Sequence, residues 1–472
     1  MPHDTYSLLL AMLFRLLTVG TASLLIMLSQ PVWANSPIAQ ADGESVEAAE
    51  DNTETTDSDE AAEQPLDEVD QLILTALSQY DSRNLEAAQA TLENALAAAR
   101  SNENQPQEAF ALTMLGVITV NKGDYPAAAD YGEAAITALE GVDDPQSQVV
   151  ALNVRARAAQ GQGNLPEALN YGQAALQLAE SIGFDSGQLN SLHILATTFT
   201  AIEQYPLALQ AAQEAIPLAQ SERDGDILLS SLNVASSALL ALEQYESALT
   251  AATDALNVAT QLESKRGQTL ALHHQGIANY RLSNLDKAIE TQTEALKLAQ
   301  ELNILDVQFT ALYVLALSYY DNGDVNKAID LYQQRLELSQ SEGALGAELQ
   351  SLLWLGSAYL DSDQYQDAIA AFNTLLTLSE ERSQPLFTRW GLSGLGFANF
   401  QLEDYPVAQG HFEQALELSK SIGDRRSELE FLDILTEVHE AQNNGEQAEA
   451  YAAEAEALRL EVDAEEPAPA GE

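Results

Sequence analysis

Ser351-Leu352-Leu353-Trp354-Leu355-Gly356-Ser357-Ala358-Tyr359 places a Leu and a glycine four residues apart, and that pairing recurs along the chain every forty residues. Leu stands at 72, 112, 152, 192, 232, 272, 312, 352, 392 and 432. Four residues later comes a small residue, from Ala76 and Gly116 through Gly396 to Thr436. Twelve further on, every copy has Ala, from Ala88 to Ala448. Seven beyond that, eight of the ten copies have Ala again, with Arg335 and Leu375 as exceptions. A Leu and a small residue at i and i+4 share one helix face. Two alanines at i and i+7 share another, which lets a second, antiparallel helix approach closely. Between them lies a polar turn, as in Gly123-Asp124-Tyr125-Pro126 or Ser283-Asn284-Leu285-Asp286. Asn or Asp takes the expected N-cap place in seven of ten copies, where its side chain accepts from free backbone amides. Pro126, Pro166, Pro206 and Pro406 fall in the first helical turn, where a missing N–H costs little. Each copy therefore reads as helix A, tight turn, helix B and a short link. Pro217, inside a helix B, is expected to bend it.

Leu352, Leu355, Gly356 and Tyr359, followed by the helix-B alanines, resemble the tetratricopeptide repeat. The standard unit has 34 residues; forty resembles the long-unit subclass of kinesin light chains and spindle-orientation scaffolds. Ser421-Ile422-Gly423-Asp424-Arg425 is similar to that subclass's link between units. The Trp common at the first signature position is Leu throughout, and Thr75 and Arg155 stand where Leu is usual. Gly445, Thr436 and His439 mark the last copy as a capping unit. A single copy cannot bury its own apolar face, so neighbours stack into a continuous core. The resemblance implies an all-α, right-handed superhelical solenoid of about ten helix-turn-helix units over residues 66–460. Three globular domains, which 472 residues would otherwise suggest, are not expected.

Asp and Glu number 72 against 20 Lys and Arg, for a formal charge of −52. Such a surface repels phosphate backbones, so nucleic acid is not an expected partner. Cysteine is absent, which removes disulfides, thiolate metal sites and a thiol nucleophile. The charge divides unevenly: −13 falls on residues 35–70, −6 on residues 454–472, and −33 is spread over the repeats. A saline exterior and a cationic partner both suit that excess. Residues 35–65 and 461–472 read as acidic, disordered segments that bury too little to offset their entropy.

Residues 1–34 read as a secretory signal, with an apolar core from Leu16 to Leu28 and small residues at Val32 and Ala34. The rival, an uncleaved anchor over residues 8–28, has Arg15 inside it, and a span needs about 20 clean apolar residues. Cleavage places the mature protein in the periplasm or outside the cell, with no stable membrane anchor.

Chemistry needs a nucleophile, base or metal in mutual geometry. His193, His273, His274, His411 and His439 show no ligand spacing, and His273 and His274 point about 100° apart on one helix. There is no phosphate loop and no GxSxG elbow. No catalytic residue, metal or cofactor is expected. The resemblance implies instead that helix A lines a concave groove, with the position after the repeating Leu pointing into it. That series includes Asn153, His193, Asn233, His273 and Tyr313. Polar groups at successive levels suit an extended peptide, and a merely solvated face is the alternative. Eight residues after the Leu come Tyr280, Tyr320 and Phe400, with Phe397 and Trp390 nearby; these read as groove wall or as core. The repeated Lys, Arg and Asn of the family's carboxylate clamp are missing; only scattered bases such as Arg157 and Arg281 fall on this side. The expected function is an exported, non-catalytic scaffold for a protein or peptide partner. An assembly chaperone for envelope complexes, or a recruiting arm for an enzyme on another chain, are the alternatives. The leader gives a direct test: N-terminal sequencing of the exported protein should begin at Asn35, and finding Met1 there would refute cleavage.

Overall fold

A computed structural model describes residues 67–465. The expected leader, the acidic linker at 35–65 and residues 466–472 lie outside them. The described residues form twenty helices in ten A–B pairs: α1 Glu68–Asp81 and α2 Leu85–Ser101, α3 Gln105–Asn121 and α4 Tyr125–Ala138, α5 Pro145–Gly161 and α6 Leu165–Ile182, α7 Asp185–Ala201 and α8 Tyr205–Glu222, α9 Gly225–Ala241 and α10 Tyr245–Gln261, α11 Lys265–Arg281 and α12 Leu285–Glu301, α13 Leu305–Asp321 and α14 Val325–Glu342, α15 Leu345–Asp361 and α16 Tyr365–Glu381, α17 Pro385–Gln401 and α18 Tyr405–Ile422, α19 Arg425–Ala441 and α20 Gly445–Glu465. Among the described residues there is no strand. Packing divides the chain into two compact units that meet inside α11, one ending at Ala278 and the other continuing from Asn279. Within each unit, consecutive helices pack on one another, and α3, α5, α7 and α9 also touch in succession through their A faces.

Local chemistry accounts for the helix ends. Asn84, Asp124, Asn164 and Asp324 accept from the backbone amide three residues on, at 3.2–3.5 Å. The links use the same device, with Asp144, Asp224 and Asp424 capping helices A at 2.8–3.1 Å. Asn284 and Asp404, expected to cap, make no such bond. The amide of Asn284 turns back instead, donating to Asn279 Oδ1 at 3.3 Å. In all ten A–B turns one residue is left-handed, yet glycine supplies it only at 123, 163 and 323. Glu203, Glu243, Asp363 and Glu403 take φ of 58–61° at the equivalent place, at a cost of roughly 1–2 kcal/mol each. Pro217 lies within α8, which runs unbroken from Tyr205 to Glu222. Helix α20 extends to Glu465, five residues into the stretch expected to be an acidic tail. There Arg425 pairs with Glu461 and Val462 packs on the core.

The repeating alanines are among the most enclosed residues of the molecule. Ala88, Ala128, Ala168 and their equivalents through Ala408 are fully buried, and Ala448 is 4% exposed. Where helix B carries a large residue, helix A yields the space. Phe372 faces Gly356 and Gly394, and Phe412 faces Gly396. A Cβ built on Gly396 would lie 2.5 Å from the Phe412 ring, too close for two carbons without movement. Gly396→Ala normally favours a helix by about 0.5–1 kcal/mol; here it should cost about 1–3 kcal/mol through overpacking. A lowered denaturation midpoint by circular dichroism is the expected result, and an unchanged or raised one would show that Phe412 can give way.

Candidate functional site

The position after the repeating Leu is more enclosed than a groove-lining reading requires. Asn153 is buried, donating to Gly187 O at 3.4 Å and accepting from Ser191 Oγ at 2.9 Å. It therefore ties α5 to α7. His193 and His273 are buried, and Tyr313 is fully so. Asn233 alone of these five is half-buried, with an enclosed Oδ1 that has no hydrogen-bond partner. Next to His273, His274 Nδ1 meets Ser236 Oγ at 2.6 Å across α9 and α11. Desolvation, and then the neighbouring His273, push the His274 pKa down to about 3, so its ring is neutral. Among the described residues no three His, Cys, Asp or Glu side chains gather as a metal-holding group.

The aromatic candidates divide in the same way. Trp390 and Phe397 are buried, edge-on to Phe387 at 5.2 Å and to Phe412 at 5.1 Å. They are core, because α17 is covered along most of its length. Phe400 is half-buried and meets Tyr405 edge-on at 5.2 Å. Tyr280 and Tyr320 are half-buried too, and each reaches the next repeat. Tyr280 is hydrogen-bonded to Asp321, and Tyr320 donates to Asp361 Oδ2. In the same register of the first repeats, Asn121 Nδ2 donates to Tyr80 Oη at 2.8 Å. A Tyr at the end of one A helix thus grips an Asx at the end of the next. Desolvation raises the pKa of both Asp321 and Asp361.

On α14, Arg335 replaces the repeating Ala and is 1% exposed. It donates to Phe309 O at 3.0 Å, Ala347 O at 2.9 Å, Ser351 Oγ at 2.8 Å and Gln350 Oε1 at 2.9 Å. Its guanidinium also lies 5.3 Å from the centre of the Tyr313 ring. No carboxylate among the described residues pairs with it, and desolvation pushes its pKa down to about 10. The sequence marks Arg335 only as a break in the alanine series. Asp321 and Asp361 are signalled by the 41-residue Tyr–Asx spacing at 80/121, 280/321 and 320/361. A shallow cleft of about 400 Å³ beside Glu348, Thr374 and Glu381 includes none of the candidates.

Two facts from comparison place the chain. Tetratricopeptide-repeat profiles match residues 73–143, 147–221, 275–342 and 313–383, together more than half of its length. Among solved structures, the apo form of RapI is similar at 12% identity over 76% of this chain and 99% of that one, with a TM-score of 0.54. A signal-transduction ATPase with a tetratricopeptide-repeat sensor, PH0952 from Pyrococcus horikoshii, is similar at 14% identity, covering 73% of this chain and 52% of that one, with a TM-score of 0.52. Those identities speak to the fold alone, a helical-repeat solenoid. No curated protein matches the sequence. The chain belongs to the tetratricopeptide-repeat proteins, and its repeats make it a protein-interaction scaffold.

The A face of the last repeat carries a titrating group. Glu437, half-buried on α19, has an enclosed Oε2 without a hydrogen-bond partner. Desolvation, then Glu440 and Asp433, raise its pKa to about 7. Its folded pKa lies above the unfolded value, so ionisation destabilises the native state above pH 7. That penalty is relieved as pH falls from about 7 towards 4.5. Glu437→Gln should therefore raise stability at pH 8 by about 1 kcal/mol after solvent screening, with little change at pH 4.5. Circular-dichroism melts at both pH values test this, and an equal effect at both would refute it.

Proposed function

We propose that this chain is an exported, non-catalytic scaffold that holds a protein or peptide partner along the A faces of its repeats. The observation that carries the reading is the set of candidate side chains left partly open by packing. Asn233 in the first compact unit, and Tyr280, Tyr320 and Phe400 in the second, combine aromatic surface with polar edges, the composition of binding patches. The buried candidates Asn153, His193, His273, Tyr313, Trp390 and Phe397 then act from beneath, holding the A helices in place. The acidic surface favours a cationic partner through steering at low salt. Export to the periplasm or beyond rests on the leader at residues 1–34, and the partner is accordingly sought in envelope fractions. Among the described residues no helix is long and apolar enough to cross a membrane.

Site-specific photo-crosslinking tests the reading. A crosslinker at Asn233 or Phe400 should capture one defined partner that a crosslinker at exposed Asp254, on helix B, does not. Capture from all three positions alike, or from Asp254 alone, would overturn use of the A face. Hydrolytic activity of the purified chain, lost on changing a single residue, would overturn the non-catalytic assignment.

A further inference from the structure

We propose that the rim formed by the C-terminal ends of α11, α13 and α15 receives an extended basic peptide. Its Lys or Arg side chains, three residues apart, sit against the Tyr280–Asp321 and Tyr320–Asp361 pairs. The inference rests on the scaffold reading and specifies the chemistry of the partner.

Each pair presents a half-buried phenol ring joined to a carboxylate at the end of a helix. A carboxylate has two oxygens and about four acceptor sites, and one bond to a tyrosine leaves most of them open. An ammonium or guanidinium placed there gains a charge-assisted hydrogen bond and the face of an aromatic ring. Among the described residues no cation pairs with either aspartate: burial and a tyrosine act on Asp321, and burial, a tyrosine and Asp363 act on Asp361. Helix C-termini add their own negative partial charge at the same place. Arg281 bears on Tyr280 and Tyr313, so the first pair is partly offset. The second pair, with Asp363 beside it, is the stronger subsite.

A second observation points to a ligand. The hydroxyl of Tyr313, on a fully buried side chain, has no hydrogen-bond partner. It lies within the electrostatic reach of Tyr280 and Asp321. Unpaired buried donors are rare because each costs about 1–3 kcal/mol. A water admitted between that enclosed hydroxyl and a bound peptide carbonyl supplies the missing acceptor. The spacing fits as well. Packed helices lie about 10 Å apart, and three residues of chain in the extended polyproline-II form span about 9 Å and bring the side chain back to the same face.

Fluorescence anisotropy with labelled Gly/Ser peptides provides the test. A peptide with two Lys three residues apart should bind more tightly than one with adjacent Lys, and a two-Asp peptide should not bind. Asp361→Asn should weaken the spaced peptide about fivefold. Glu203→Gln, which removes an equal charge at an exposed turn of the other compact unit, should change nothing. Circular dichroism of each variant separates lost binding from lost fold. Equal affinity for both Lys spacings, or equal weakening by Glu203→Gln and Asp361→Asn, would reduce the effect to diffuse charge and overturn the proposal. A partner crosslinked at Phe400 whose capture ignores Asp361→Asn would also sink it, while leaving the scaffold reading intact.

Discussion

The close approach of helix B to its neighbours is the constraint on which the rest of this protein depends. It is set by one atom, the Cβ of an alanine repeated at residues 88 to 448. With no side chain beyond that atom, the helices approach closely, and dispersion over many short contacts adds to a core of Leu and aromatic side chains. That explains how a chain with few aromatics holds twenty helices. It also explains why glycine stands opposite the buried rings of Phe372 and Phe412.

Much of this was legible in the sequence because it is periodic. A forty-residue register places Leu, small residue and Ala on faces fixed by helical geometry, and the structure keeps every A–B pair. Caps were read less well. Asn284 and Asp404 share the composition of the working caps, but composition does not say which backbone amide a short side chain will reach. Asn279, five residues before Asn284, offers a competing partner.

The candidate site was harder to read for a physical reason. Tyr313 and Tyr320 lie seven residues apart, two helical turns, and burial separates them by contacts with other repeats rather than by local pattern. At the position after the Leu, Gly187 and Ser191 of the next A helix cover Asn153. A single sequence reports which face a residue occupies. It does not report how far the next repeat overlaps that face. The Tyr–Asx pairs were encoded as a spacing longer than one repeat, so a search at period forty passes over them.

Arg335 has a consequence for how such an array can change in length. Repeats that carry Ala at this place present a single methyl group there to their neighbours. The seventh repeat is different. Its guanidinium takes acceptors from Phe309 within its own A helix and from Ala347, Gln350 and Ser351 of the next repeat. Removing the eighth repeat, or slipping another copy between them, strands a buried cation among groups that do not accept it. At this joint the order of the repeats is thus locked by a single buried side chain.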